Sequence, residues 1–146
     1  MSVDRFIANQ LRIAKEDLDG ARLLALSGNR NAVYLCEQAA EKVIRAVLTS
    51  EGKHAGIGHR LDEFVDLVPN ENPMKPALRL IEELAAFATA YRYPGSSGRI
   101  PQSPAGPGLD DYIRRVQSAL DQAAAGFGVE LMDSSQPARS PKPLRD

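Results

Sequence analysis

The stretch Ala32-Val33-Tyr34-Leu35-Cys36-Glu37-Gln38-Ala39-Ala40-Glu41-Lys42-Val43-Ile44-Arg45-Ala46 decides the fold class. Its apolar residues Ala32, Cys36, Ala39, Val43 and Ala46 recur at alternating steps of four and three, which places them on one face of an α-helix. Most of them are small, so a second helix can approach closely. On the N-terminal side, Ile7, Leu11, Ala14, Leu18 and Ala21 repeat the same steps and Leu24 extends them, predicting a first helix over residues 2–27. Gly28 is a C-terminal stop for that helix, and Asn29 or Asn31 can cap the next. The turn between them is therefore short, and the two helices are antiparallel neighbours.

On the C-terminal side, helix two ends before Gly52, and the glycine-rich run 52–59 cannot continue it. Residues 60–68 read as a short helix stopped by Pro69. Asn72 before Pro73 opens a predicted fourth helix with Ala77, Ile81, Leu84, Ala88 and Tyr91 on one face. That helix ends at Tyr93, because Pro94 disfavours the helical conformation in the residue before it. The stretch 94–108, dense in Pro, Gly and Ser, is a long loop. A last helix over 109–125 carries Ile113, Val116, Leu120 and Ala123 in register. The remaining residues are proline-containing and poor in apolar side chains, so a disordered tail is expected. No segment alternates at period two and no repeat appears. The expectation is an all-α, up-and-down bundle of four long helices plus one short helix, with a domain over 1–127 and a tail over 128–146.

Composition restricts the function classes. A chain of 146 residues is one domain's worth of sequence, and 43% hydrophobic with 25% charged residues is a globular composition. With 18 Lys and Arg against 19 Asp and Glu, a net charge of -1 supplies no global positive field, which argues against general DNA binding. The single Cys36 excludes an internal disulfide and lies on the apolar stripe, where it reads as core rather than nucleophile. Cys36 and two histidines make no zinc motif, so no metal and no cofactor is expected. No apolar window reaches the roughly 20 residues of a membrane span, and the first residues lack an apolar signal stretch, so a cytoplasmic protein is expected.

Two places offer binding chemistry. Along helix two, Tyr34, Gln38, Lys42 and Arg45 stand four, four and three residues apart and form one polar stripe opposite the apolar one. The stripe reads either as a solvated face with Glu41 and Arg45 paired at i, i+4, or as a ring with hydrogen-bond donors for a ligand. Tyr91-Arg92-Tyr93-Pro94 sets a guanidinium between two phenol rings where the helix is forced to stop. Arg92 can hold a phosphate bidentately while Tyr93 stacks on a base. The alternative is that Tyr91 is core, Arg92 caps the last carbonyls and Tyr93 covers the bundle end. His59 can donate to a phosphate or cap the short helix. The segment around Lys53 is no P-loop, since it lacks the Lys and hydroxyl after its second glycine and a preceding strand. No catalytic triad, carboxylate pair or other catalytic set can be assembled.

Taken together, Asp17-Leu18 in a long first helix, the run Tyr34 to Lys42, His59-Arg60-Leu61 and Tyr91-Arg92-Tyr93-Pro94 resemble the HEPN family, over roughly residues 3–125. The resemblance implies an all-α bundle, commonly a homodimer, often encoded beside a minimal nucleotidyltransferase, that binds a nucleotide, such as ATP or another NTP, or that enzyme's substrate. By resemblance Arg92, Tyr93 and His59 match family motif positions and Lys42 matches the lysine of the helix-two run. Gln38 and Arg45 are added from the stripe alone. The ribonuclease branch carries Arg, four to six residues, then His, and neither His54 nor His59 has an arginine at that spacing before it. A phosphodiester-cleaving acid or base is therefore not evident. The expected function is a nucleotide- or substrate-binding module acting with a separate nucleotidyltransferase. The alternatives are a structural or antagonist partner of such an enzyme, as in a toxin–antitoxin pair, and, further off, an RNA-cleaving toxin.

Overall fold

The computed structural model describes residues 3–58, 60–132, 136–140 and 142–145. Among these there is no strand, and three long helices dominate: α1 (Val3–Leu26), α2 (Asn31–Ser50) and, after two short helices, α5 (Gly106–Phe127). The apolar stripe of α1 is buried as its spacing requires, with Ile7, Leu11, Ala14, Leu18 and Ala21 all fully enclosed. Its end is closed by Gly28 at φ +69, where the Gly28 N–H donates to the Ala25 carbonyl and the Asn29 N–H to the Leu24 carbonyl. This left-handed closure satisfies carbonyls that the last turn leaves open. The Asn29 side chain then accepts from the Asn31 N–H at 2.9 Å, which starts α2.

Helix α2 is the central element. Beyond Ala32, Cys36, Ala39, Val43 and Ala46 it also buries Val33, Ala40, Ile44, Val47 and Leu48, because α1, α3 (Leu61–Asp66), α5 and the segment after α4 (Lys75–Arg79) all pack on it. Each buried Val, Leu or Ile contributes about 1.5–3 kcal/mol relative to an exposed one. Gly20 sits where α1 and α2 meet, and a Cβ there would lie 3.0 Å from Leu35 Cδ1. A glycine in mid-helix costs about 0.5–1 kcal/mol relative to alanine; here it gives Leu35 its place.

The segment expected as one fourth helix is an unbroken helical path only in the loose sense. After α3 (Leu61–Asp66), α4 covers Lys75–Arg79, and the chain continues as 3₁₀ turns over Glu82–Phe87 and Ala90–Arg92. Successive N–H groups of Leu80, Ile81, Leu84, Ala88 and Arg92 donate to carbonyls three residues back. The buried residues Leu78, Ile81, Leu84 and Phe87 stand three apart, the period of a 3₁₀ helix rather than 3.6. Of the face read at the longer period, Ile81, Leu84 and Ala88 are buried, while Ala77 and Tyr91 are only half-buried. The tighter coil rises about 2.0 Å per residue instead of 1.5 Å, so ten residues reach further along the bundle.

Helix α5 begins at Gly106, three residues before the expected start, because Pro107 in the first turn needs no hydrogen-bond donor there. It buries Ile113, Val116, Leu120, Ala123 and Phe127 and ends at Gly128, φ +63. The described residues beyond carry no regular element and lie against the bundle. The Ala138 N–H donates to the Asp4 carbonyl, the Arg139 and Ser140 N–H groups to the Phe127 carbonyl, and Arg145 forms a two-pronged contact with the half-buried Glu51. No helix among the described residues is long and apolar enough to cross a membrane.

Candidate functional site

The 3₁₀ path runs to Arg92, and Pro94 then forces Tyr93 into extended backbone, φ -130 and ψ 155. The chain turns away at that point, and Arg92 is left facing α2. Its guanidinium carbon lies 4.3 Å from the ring centroid of Tyr34 and 5.7 Å from that of Tyr93. Both distances fall within the range over which a ring quadrupole attracts a cation. Three residues separated by up to 59 positions thus form one stack. Tyr93 is 61% exposed and Arg92 is exposed as well, while Tyr34 is half-buried. Among the described residues no carboxylate pairs with Arg92, so its charge is matched by ring faces and solvent.

The stack has a firm base. Tyr91 packs on Phe87 with ring centroids 4.6 Å apart, and Phe87 meets Tyr112 of α5 edge-on at 6.0 Å. Burial is the chief cause raising the Tyr112 phenol above its ordinary pKa, with Glu83 adding to it. Tyr91 therefore packs against the core from a half-buried position rather than lying within it. Above it, Arg30 in the α1–α2 turn donates to the Tyr91 carbonyl and to the Pro101 carbonyl, each at 2.6 Å.

The rest of the helix-two stripe is engaged elsewhere. Lys42 Nζ donates to Asp17 Oδ2 at 2.6 Å, closing an ion pair between α2 and α1. Arg45 donates to the carbonyls of Gly56 and Gly58 at 2.9 and 3.0 Å, lies over the Phe64 ring at 4.7 Å, and has Glu41 3.9 Å away. Gln38 donates to Glu37 at 2.8 Å, one turn along from Tyr34. At 1.5 Å per residue, Lys42 and Arg45 stand about 12 and 16 Å along the helix from Tyr34. The structure brings together Tyr34, Arg92 and Tyr93, with Gln38 adjacent on the stripe, and leaves Lys42 and Arg45 apart. His59 lies outside the described residues. Cys36 is buried among apolar side chains, and desolvation pushes its thiol up to about 12 with Glu37 adding to the effect.

A cavity of about 1250 Å³ lies elsewhere, between the C-terminal end of α1, residues 103–105 and α5. Arg22, Leu26, Arg30, Leu109, Ile113 and Gln117 are among the residues that line it. None of the residues Tyr34, Gln38, Lys42, Arg45, Arg92 and Tyr93 lines it, while Arg45 lines a smaller one of about 250 Å³ with Phe6, Lys53 and His54; with Arg92 and Tyr93 exposed, the stack is an open ledge. The sequence reading missed Arg30, and it quoted Asp17 in the first helix without its pairing to Lys42. Neither carries a signal of its own, since an arginine in a turn and an aspartate on a helix face are ordinary until their partners are placed.

No curated protein and no solved structure matches the chain. The family model for the HEPN domain matches residues 8–123, which run from the first turns of α1 to the last buried turn of α5 and include the whole stack. Spanning most of the sequence and all the elements that build the bundle, that match places the chain in the HEPN domain family.

Proposed function

We propose that this chain is a cytoplasmic nucleotide-binding module that works beside a separate nucleotidyltransferase. At family level, HEPN membership supports a nucleotide-related or RNase-type module. The observation that carries the finer reading is Arg92, a guanidinium laid on the Tyr34 ring with no carboxylate partner among the described residues. A phosphate can take its outward N–H groups as a bidentate acceptor, and the exposed face of Tyr93 offers a stacking surface for a base. Gln38 stands one turn from Tyr34 on the same stripe, its amide donating to Glu37. Lys42 and Arg45 support the helix that carries Tyr34.

An open ledge gives weak binding. A charge-assisted bond of about 1.5–3 kcal/mol and a stack of about 1–3 kcal/mol, less ordering costs, correspond to millimolar to micromolar affinity. That suits presentation of a substrate to another enzyme. Calorimetric titration of the protein and of Arg92→Ala with ATP and GTP tests the reading. Arg92→Ala weakens binding about tenfold or more, the equivalent of about 1.4 kcal/mol, with the melting temperature unchanged. Equal affinities, or no heat from either protein, refute it.

A second reading is favoured by a different observation. Leu26, 87% exposed, stands on the rim of the 1250 Å³ groove, whose walls carry both arginines and aspartates. Such a face suits docking, either on the transferase or on a second copy in a homodimer. Sedimentation across a wide concentration range, alone and with the transferase, separates the two: an invariant monomer mass in both refutes docking.

A further inference from the structure

We infer that Arg30 is the positioning residue of the Tyr34–Arg92–Tyr93 ledge: its guanidinium clamps both ends of the loop that carries the ledge. The inference rests on the nucleotide reading for its functional consequence, but its geometric content stands without it. Every residue from Arg92 to Ile100 is exposed, so this loop has no buried side chain to hold it. Within itself it makes a turn, with the Gly95 N–H donating to the Arg99 carbonyl and the Gly98 N–H to the Gly95 carbonyl, each at 2.8 Å. Those bonds shape the loop without attaching it to anything.

Attachment comes from two contacts. One is the Arg92 guanidinium on Tyr34. The other is Arg30, whose Nη1 reaches the Tyr91 carbonyl just before the loop while Nη2 reaches the Pro101 carbonyl just after it, both at 2.6 Å. A guanidinium is suited to this because its N–H groups form a rigid fork, so one side chain fixes two acceptors at a set separation. Arg30 is itself fixed, because the closed Gly28 turn and the start of α2 surround it in sequence. Arg30 immediately precedes α2, and Tyr34 sits in the first turn of that helix, four residues on. The clamp and the ring thus share one rigid support, and the distance from Arg92 to Tyr34 depends on Arg30 holding the Tyr91 carbonyl. Among the described residues Arg30 makes its hydrogen bonds to the Tyr91 and Pro101 carbonyls and none to the three ledge side chains, so it acts through the backbone.

The test reads position and binding separately. Protons on Cδ of Arg92, held over an aromatic face, resonate upfield of their free-chain position. In full-length Arg30→Ala the Arg92 side-chain resonances move to free-chain values, amide exchange across residues 92–100 accelerates at least tenfold, and ATP affinity falls about fivefold to tenfold. Arg30→Lys, whose single ammonium lacks the fork, gives an intermediate shift, and it serves as the second variant should the alanine protein fail to fold. Arg92 resonances that stay upfield in both variants overturn the inference. If the resonances collapse but wild-type protein shows no ATP binding, the positioning role stands and the nucleotide reading falls. If ATP affinity falls while the resonances stay in place, Arg30 contacts the nucleotide directly and the inference is overturned.

Discussion

Replacing Lys42 with methionine distinguishes a lysine that binds phosphate from one that joins two helices. In the structure Lys42 Nζ is 2.6 Å from Asp17 Oδ2, and the two side chains are 20% and 19% exposed. An exposed pair contributes about 0.2–1 kcal/mol, whereas breaking a fully buried one costs about 3–5 kcal/mol because a charge is left behind. With one-fifth exposure, water still reaches Asp17 once the ammonium is gone, so Lys42→Met should cost about 1–2 kcal/mol. For a chain of this length that lowers the melting temperature by about 3–6 °C. Adding Asp17→Asn removes the stranded charge and should restore part of the loss, a coupling of about 1 kcal/mol in a double-mutant cycle. Thermal melts of the four proteins measure the cycle, and salt should shrink the coupling. ATP titration of Lys42→Met should stay within about twofold of wild type, because the ammonium is already engaged about 12 Å along the helix from Tyr34. A tenfold loss of ATP affinity with an unchanged melting temperature would refute this assignment.

Leu78→Ala and Phe87→Ala should each cost about 2–5 kcal/mol by denaturant unfolding, while Leu80→Ala, at a 57% exposed position, should change stability by less than about 0.5 kcal/mol. Equal effects at 78 and 80 would contradict the period of three. Cys36 should resist thiol reagents in the native protein and react only on unfolding, since its thiol stays protonated up to about 12. Its folded pKa lies above the ordinary 9.0, so the folded state holds the proton more tightly: that contribution is intact below 9.0 and is lost as pH rises toward 12. Alkaline melts of Cys36→Ala, compared with wild type, should lose less stability over this window. Arg145→Ala should lower stability by about 1–2 kcal/mol, because Glu51, 3% exposed at its side chain, then keeps only the Asn72 amide, at 2.7 Å, as a side-chain donor among the described residues. Helical circular dichroism should be unchanged in that variant.

The helices that define the bundle were legible because burial on one face writes a period into the sequence. In α1 every residue read as core, from Ile7 to Ala21, is fully enclosed. In α2 the stripe was right but too narrow, since a helix packed from several sides buries more than one stripe, and Ala40, Ile44 and Val47 follow from neighbours that the helix itself does not encode. The fourth segment was legible as helical but not as 3₁₀. Ile81 and Leu84 fit periods of 3.0 and 3.6 equally, and only Leu78 and Phe87 against Ala77 and Tyr91 tell the two apart. Pro94 exposed Arg92 and Tyr93 as special because its effect is local. Their partner Tyr34 lies 58 residues before Arg92, and local rules carry no information over that separation.

The polar residues show why a candidate site is harder to read than a core. A helical wheel says where a side chain stands and is silent about what faces it. Tyr34, Lys42 and Arg45 share one stripe, yet one meets a guanidinium, one an aspartate and one two glycine carbonyls. The fate of the arginines follows from the loops around them. Segments 51–58 and 93–105, rich in glycine and proline, form no helix or strand, and they and their flanks leave carbonyls needing donors. A guanidinium fork supplies two donors at once, and arginines near the two ends of α2 do so: Arg45 for Gly56 and Gly58, Arg30 for Tyr91 and Pro101. An arginine bound to two carbonyls has little left for a phosphate. Arg92, stacked on rings that leave its N–H edge open, is therefore where ligand chemistry should be sought, and the loop clamps are what keep it there.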